Sequence, residues 1–151
     1  MKKLIEQILK FGVVGVVCFL IDFAITNVVA AVLRNQMQMA TGTAALIGAF
    51  WGFVISVIVN YLLSMKYVFV RKEDMDRKKE FVIFTILSLI GLLINEAIIK
   101  LSIDVLYENW LWLKSLLSPA LVTAGAKIVA TGIVMVYNFI TRKIFLEQKE
   151  E

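Results

Sequence analysis

Four ionisable side chains lie inside long apolar stretches of this 151-residue sequence: Asp22, Glu96, Lys100 and Lys127. An ionisable group near the centre of a bilayer costs at least about 2.5–3.5 kcal/mol on insertion scales, so it is a functional candidate by default. A lysine can bind a phosphate, and a carboxylate can accept hydrogen bonds from sugar hydroxyls or balance positive charge. The structural alternative for Glu96 and Lys100, one helical turn apart, is an ion pair.

A second polar group follows two of the apolar stretches. It combines the cations Lys66, Arg142 and Lys143 with the hydroxyl of Ser64, and aromatic residues stand nearby at Tyr67, Phe69 and Phe145. Cations, hydroxyls and aromatic rings at head-group depth suit a phosphorylated lipid that carries a sugar. Interfacial anchoring would explain the same residues.

Four apolar segments must position these side chains. They cover residues 11–33, 43–65, 81–103 and 118–141, in a sequence that is 60% hydrophobic. About 20 mostly apolar residues are enough for a helix to span a bilayer. We therefore expect an all-α integral membrane protein with four transmembrane helices in a single membrane domain, residues 1–151. Ser118-Pro119 and Thr41-Gly42-Thr43 are expected to cap the fourth and second helices.

The basic residues predict the orientation of these helices. Twelve of the 16 Lys and Arg residues flank the segments on one side, and only Arg34 and Lys114 lie on the other. Cytoplasmic loops carry the excess of Lys and Arg. Both termini are therefore expected to be cytoplasmic.

The two halves of the sequence resemble each other. Residues 11–25 and 84–98 share five identities, and Asp22 aligns with Asn95. The segment from Asn60 to Phe69 similarly resembles the one from Asn138 to Phe145. This pattern predicts two tandem helical hairpins, about residues 8–70 and 81–146, in a parallel repeat related by an axis along the membrane normal.

Small and polar residues recur at every third or fourth position, which places them on one face of each helix. The second segment shows this most clearly, with Ala44, Gly48, Gly52, Ser56, Asn60 and Ser64. We interpret Gly48, Gly52 and Ser56 as helix-packing residues, because small side chains let helices approach closely. The stripes of all four helices are expected to face one another.

Several functional classes lack the residues they need. With no His and one Cys, the sequence cannot form a His/Cys metal site, a Cys-His nucleophile or a disulfide framework. It also contains neither GxxxxGK[ST] nor GxGxxG. No nucleophile motif accompanies Asp22 and Glu96, which lie on different helices at different depths. We expect no catalytic residues, no metal, no cofactor, no enzymatic activity and no nucleic-acid partner.

Taken together, the ordered motifs resemble the GtrA-like family over about residues 6–146. They are Phe11 and Gly15, Asp22, Asn60 with Ser64-Met65-Lys66-Tyr67-Val68-Phe69, Lys127, and Asn138-Phe139 with Arg142-Lys143 and Phe145. The sequence has Ser64, Met65 and Tyr67 where Asn, Arg and Trp are common in that family.

The resemblance implies movement of a polyprenyl-phosphate-linked sugar from the cytoplasmic to the outer leaflet of the bacterial inner membrane. A separate membrane glycosyltransferase would use this lipid to decorate a cell-surface polysaccharide or teichoic acid. The phosphate would contact Lys66, Arg142 and Lys143 inside, and Lys127 and Lys100 nearer the outside. The residues expected to contact the sugar or balance charge are Asp22, Asn60, Asn95, Glu96, Asn138 and Ser64.

Two other functions are compatible with this pattern. A non-transporting scaffold could hold a glycosyltransferase through small-residue helix faces. A small proton-coupled multidrug-type exporter is disfavoured, because Lys100 and Lys127 would repel a cationic substrate. A homodimer or larger assembly is expected, and the stripe of the second helix could form its interface or be used within one chain.

Overall fold

The computed structural model describes residues 2–102, 104, 109 and 118–148, with the backbone alone at 119, 120, 123 and 124. Its long helices are α1 (Lys2–Gln36), α2 (Thr41–Tyr67), α3 (Arg77–Leu101) and α4 (Pro119–Leu146). Within the described residues, these four helices are each long and apolar enough to cross a membrane. The predicted all-α, multi-pass membrane fold is confirmed. Ile103 and Lys114 lie outside the described residues.

The helices extend beyond the predicted apolar segments. α1 has 35 residues, which at about 1.5 Å per residue exceeds a hydrocarbon core of roughly 30 Å. Its first turns carry Lys2, Lys3, Glu6 and Lys10, all exposed. The charged start of α1 therefore has the length to project into the head-group region.

Of the two predicted helix caps, one is confirmed and one is wrong. The Ser118 hydroxyl accepts a hydrogen bond from the Leu121 amide at 3.4 Å, as an N-cap does. At α2, the N-cap residue is Ala40, and no side chain caps the helix. The threonine at position 41 already belongs to the helix, so its hydroxyl is one residue too late to act as the N-cap.

Unit 1 is a pair of packed helices, α1 and α2, within residues 2–75 and 147–148. After α2 the chain turns back and buries Val68 and Phe69. The centre of the Phe69 ring lies 5.9 Å from the centre of the Phe11 ring in α1. Gln7 donates a hydrogen bond to the Val68 carbonyl at 3.0 Å. These contacts close one end of the helix pair.

The last described residues also pair with this end of unit 1. The Gln148 amide donates to the Val70 carbonyl at 2.8 Å. Arg71 and Glu147 form an antiparallel bridge, and the Gln7 amide donates to the Glu147 carboxylate. The chain after α4 is thus part of unit 1.

Unit 2 consists of residues 76–146, with α3 packed against α4. Its apolar core includes Phe84 and Leu87 of α3 and Ala130 and Leu146 of α4. Two charged residues, Glu80 and Arg142, are buried as well. Each unit is thus a helix pair. The parallel repeat that would relate the two pairs stays a prediction, as does the cytoplasmic location of both termini.

Candidate functional site

The stripe of small residues on α2 faces α1 within unit 1. A Cβ atom added at Gly48 would lie 2.5 Å from the Thr26 carbonyl oxygen and 3.2 Å from the Ala30 Cβ. One added at Gly52 would overlap the Thr26 hydroxyl. Because real Cβ atoms do not approach other atoms so closely, glycine is required at both positions for this packing. At Gly48 and Gly52, the stripe is therefore packed against α1 of the same chain.

Asp22 lies in this contact. A Cβ at Gly52 would be 2.5 Å from the Asp22 carboxylate oxygen and 2.8 Å from its carbonyl oxygen. The residue is half-buried. The structure thus places the one acidic residue of the first predicted span beside the helix-packing glycines, with part of its surface still accessible.

Farther along α2, hydroxyl groups form local hydrogen bonds. Ser64 is completely buried and donates to the Asn60 side-chain oxygen at 2.9 Å. Ser56 donates to the Phe53 carbonyl at 3.0 Å. The Ser64 hydroxyl, predicted to contact the sugar, is thus inaccessible in this structure, whereas Asn60 is half-buried.

In unit 2, one of the two asparagines predicted to contact the sugar lies at the glycine contact between the helices. A Cβ at Gly91 of α3 would lie 3.1 and 3.3 Å from the side-chain amide atoms of Asn138 on α4. Asn138 and Asn95 are both half-buried. Asn138 thus lies where α3 and α4 approach closely, with part of its surface still accessible.

The remaining charges within the predicted spans lie on the surface of unit 2. Glu96, Lys100 and Lys127 are all exposed. Within the described residues, no ion pair joins Glu96 to Lys100, and Lys127 forms none. The static pair considered from the sequence is absent, so these charges remain accessible to a ligand.

Arg142 is buried instead of facing solvent. It is 1% exposed. Its guanidinium carbon lies 3.8 Å from the centre of the Phe84 ring, and its Nη2 donates to the Ser88 hydroxyl at 3.0 Å. A desolvated cation–π contact of this kind is worth about 2 kcal/mol. Arg142 is therefore held between the helices of unit 2.

The other two basic residues predicted at the phosphate are more accessible. Lys66 is exposed, with its ammonium group 5.0 Å from the centre of the Tyr67 ring. Lys143 is half-buried. Lys66 belongs to unit 1, and Arg142 and Lys143 belong to unit 2. Their role at a phosphate remains a prediction.

Sequence reasoning missed several residues at these helix ends. Arg71 lies 5.9 Å from the Tyr61 ring centre, and Glu80 is 1% exposed. Glu80, Phe84 and Ser88 repeat every fourth residue, which places them on one face of α3. The spacing could have been read from the sequence, because it places the charged Glu80 and the hydroxyl of Ser88 on either side of Phe84 on one helix face.

Comparison with known proteins agrees with the resemblance noted from the motifs. The family model for the GtrA/DPMS transmembrane domain matches residues 10–146. Neither the comparison with curated proteins nor that with solved structures finds a match. The family is associated with the handling of lipid-linked sugars in glycosylation. The matched region covers α2, α3 and α4 and all of α1 from residue 10 onwards, and the chain therefore belongs to the GtrA/DPMS transmembrane-domain family.

Proposed function

We propose that this protein moves a polyprenyl-phosphate-linked sugar from the cytoplasmic to the outer leaflet of the bacterial inner membrane. The lipid would supply a membrane glycosyltransferase that decorates a surface polysaccharide or teichoic acid. The protein itself would act as a flippase without catalysing a reaction.

The observation that carries this proposal is the exposed cation in an apolar span. Lys127 lies among Ile128 and Val129, which are also exposed on α4. A lysine at this depth is unfavourable unless an anion accompanies it. A lipid phosphate passing along α4 would provide that anion, and Lys100 adds a second exposed cation on unit 2.

The polar groups near the helix contacts suit the sugar. Asp22 at the α1/α2 contact and Asn138 at the α3/α4 contact are each half-buried. Partly accessible carboxylate and amide groups can exchange hydrogen bonds with sugar hydroxyls. The long apolar chain of the lipid can remain in the bilayer, where it is favourably solvated.

The test measures translocation by the purified protein in liposomes. An enzyme added outside reports how much polyprenyl-phosphate sugar has become accessible. We expect acceleration over empty liposomes and a loss of about tenfold or more in Lys127→Met, because one charged hydrogen bond is worth about 1.5–3 kcal/mol. Lys78→Met is the matched control, since Lys78 is exposed but lies before the third predicted span.

Two outcomes would overturn the proposal. Folded wild-type protein that does not accelerate translocation would favour the scaffold function, with a glycosyltransferase as the partner to be sought. Unchanged translocation in Lys127→Met and in Asp22→Leu would remove these residues from the path.

A further inference from the structure

An apolar groove of about 300 Å³ lies on the surface of unit 2. It is lined by Ile83, Ile86 and Leu87 of α3 and by Phe145 of α4. Leu87 is buried, whereas Ile86 and Phe145 are each 51% exposed. Ligand pockets begin at about this volume, so the groove can hold a short length of hydrocarbon chain.

The groove lies where the bilayer interior meets the head groups. Ile83 is two residues inside the predicted third span, and Phe145 is four residues beyond the end of the fourth. A lipid bound here would therefore have its chain in the hydrocarbon region and its head group beside the N-terminal end of α3.

An exposed cation lies on the same helix face as the groove. Lys79 precedes Ile83 by one turn, an offset of about 40° around the helix, and it is exposed. Lys78 is about 140° away from Ile83 by the same geometry. On α4, Lys143 is about 160° away from Phe145. Lys79 is thus the surface cation best placed to meet an anion at the mouth of the groove.

Arg142 does not take this role in the structure. It precedes Phe145 by three residues, but it is buried against Phe84 and Ser88. Its charge is used between the helices. Of the cations compared, the exposed Lys79 is therefore the partner available to a head group at the groove.

Apolar side chains continue the groove along α3. Ile90 and Leu93 follow Ile86 at helical spacing, and both are exposed. They extend the apolar track by about 10 Å towards the membrane interior. A chain longer than the groove could continue along this face into lipid.

The spacing of Lys79 and Ile83 along α3 favours one kind of lipid. The Cα atoms of Lys79 and Ile83 are separated by about 6 Å along the helix axis. A phosphate at Lys79 would thus be followed almost directly by hydrocarbon. This suits a lipid whose phosphate is bonded straight to a single chain, and it leaves little room for a glycerol with two ester groups.

We propose that this groove binds the first isoprene units of a polyprenyl phosphate, with the phosphate at Lys79 and the remaining chain along Ile90 and Leu93. The inference rests on the proposed function and adds a site for the lipid tail. The single anionic group and apolar chain of such a lipid complement the charge of Lys79 and the apolar groove.

Photo-crosslinking tests this site without requiring transport. The purified full chain in phosphatidylcholine nanodiscs is irradiated with a polyprenyl phosphate that carries a diazirine on its first isoprene unit. Mass spectrometry then locates the adducts. We expect them on Ile83, Ile86 or Phe145, and we expect Ile86→Trp, which fills the groove, to lower their yield about tenfold.

Matched variants separate the groove from general effects on the fold. Leu92→Trp changes another exposed apolar residue of α3, about 120° around the helix from Ile86, and should leave the yield unchanged. Lys79→Gln keeps the groove intact and should weaken binding about tenfold through loss of one charged contact. Lys78→Gln is its control and should bind as wild type does.

Several results would overturn the site. One is adducts confined to other helices, and another is an equal loss of adduct yield in the control variants Leu92→Trp and Lys78→Gln. The site would also be wrong if a polyprenol without phosphate labelled the groove equally well, or if a two-chain phosphatidic acid competed for the groove as well as polyprenyl phosphate does. Translocation accompanied by adducts elsewhere would overturn this site and keep the proposed function. Groove adducts without any translocation would keep this site and overturn the proposed function.

Discussion

The helix pair α1/α2 approaches most closely at two glycines, whereas α3/α4 approaches at one glycine and buries an arginine. In the first pair, Gly48 and Gly52 bring the α1 backbone to a distance that no Cβ atom would permit. In the second pair, Arg142 fills the space between the helices and contacts Phe84 and Ser88. Similar sequence patterns thus produce two kinds of helix contact.

The charged residues of the predicted spans also differ in exposure between the two helix pairs. The acidic residue of α1, Asp22, lies at the glycine contact and is half-buried. The three charges of the other predicted spans, Glu96, Lys100 and Lys127, are exposed on unit 2. Because an anionic lipid can reach exposed cations directly, unit 2 is the better candidate for contact with the phosphate within the predicted spans. Unit 1 is expected to depend mainly on close packing.

The largest effect should come from removing the buried arginine. Arg142→Met loses the Phe84 contact and the Ser88 hydrogen bond, so we expect the free energy of unfolding to fall by about 3 kcal/mol. Unfolding in detergent, followed by circular dichroism, measures the change. Arg77→Met is the control, because Arg77 is an exposed arginine of the same unit. Equal stability of the two variants would show that Arg142 does not hold α3 and α4 together.

Gly52→Ala tests the closer contact of unit 1. The added Cβ would overlap the Thr26 hydroxyl and lie 2.8 Å from the Asp22 carbonyl, and such overpacking costs about 1–3 kcal/mol. Unfolding in detergent, followed by circular dichroism, measures this change as well. Gly132→Ala is the matched control, since nothing lies within 4 Å of a Cβ added there. This substitution should leave the free energy of unfolding unchanged or raise it slightly. If Gly52→Ala behaved like Gly132→Ala, α1 and α2 would not depend on this glycine.

A smaller change in stability is expected from substitutions at the starts of α2 and α4. Ser118→Ala removes the cap of α4 and should cost about 0.5–1 kcal/mol. Ala40→Ser adds a hydroxyl at the uncapped start of α2, where the backbone already has N-cap dihedral angles (φ −55°, ψ 137°), and should stabilise by a similar amount. Melting temperatures that move in the same direction in both variants would contradict this difference between the helices.

The smallest effect is expected at the start of α1. Lys10 donates to the Glu6 carboxylate at 2.6 Å, and this hydrogen bond, followed by Coulomb attraction, lowers the pKa of Glu6. A lowered pKa adds stability above the unfolded-state pKa of about 4.3, and this contribution is lost as pH falls through the folded-state value. Because both side chains are exposed, Glu6→Gln should barely change the melting temperature at pH 7. Any difference should shrink as the pH falls below the unfolded-state pKa and Glu6 becomes protonated. A difference that grows on acidification would contradict the sign of this pKa shift.

Parts of the site were predictable because they depend on local spacing. The four-residue repeat of α2 predicted Gly48 and Gly52 as packing residues, and the structure places both against α1. The same repeat could not reveal that Asp22 lies beside Gly52. That contact depends on the rotation of α1 relative to α2, which no short segment specifies.

The sequence by itself determined the four membrane-spanning helices, because length and hydropathy decide whether a segment can cross a bilayer. It also determined the cap at Ser118, which needs only neighbouring residues. Tertiary structure alone decided that Arg142 is buried and that Ile83 and Phe145 line one groove. Arg142 and Ser88 are 54 residues apart, so their contact exists only because α3 and α4 pack together. Residue type sets which interactions a side chain can form, and helix packing decides which of them it forms.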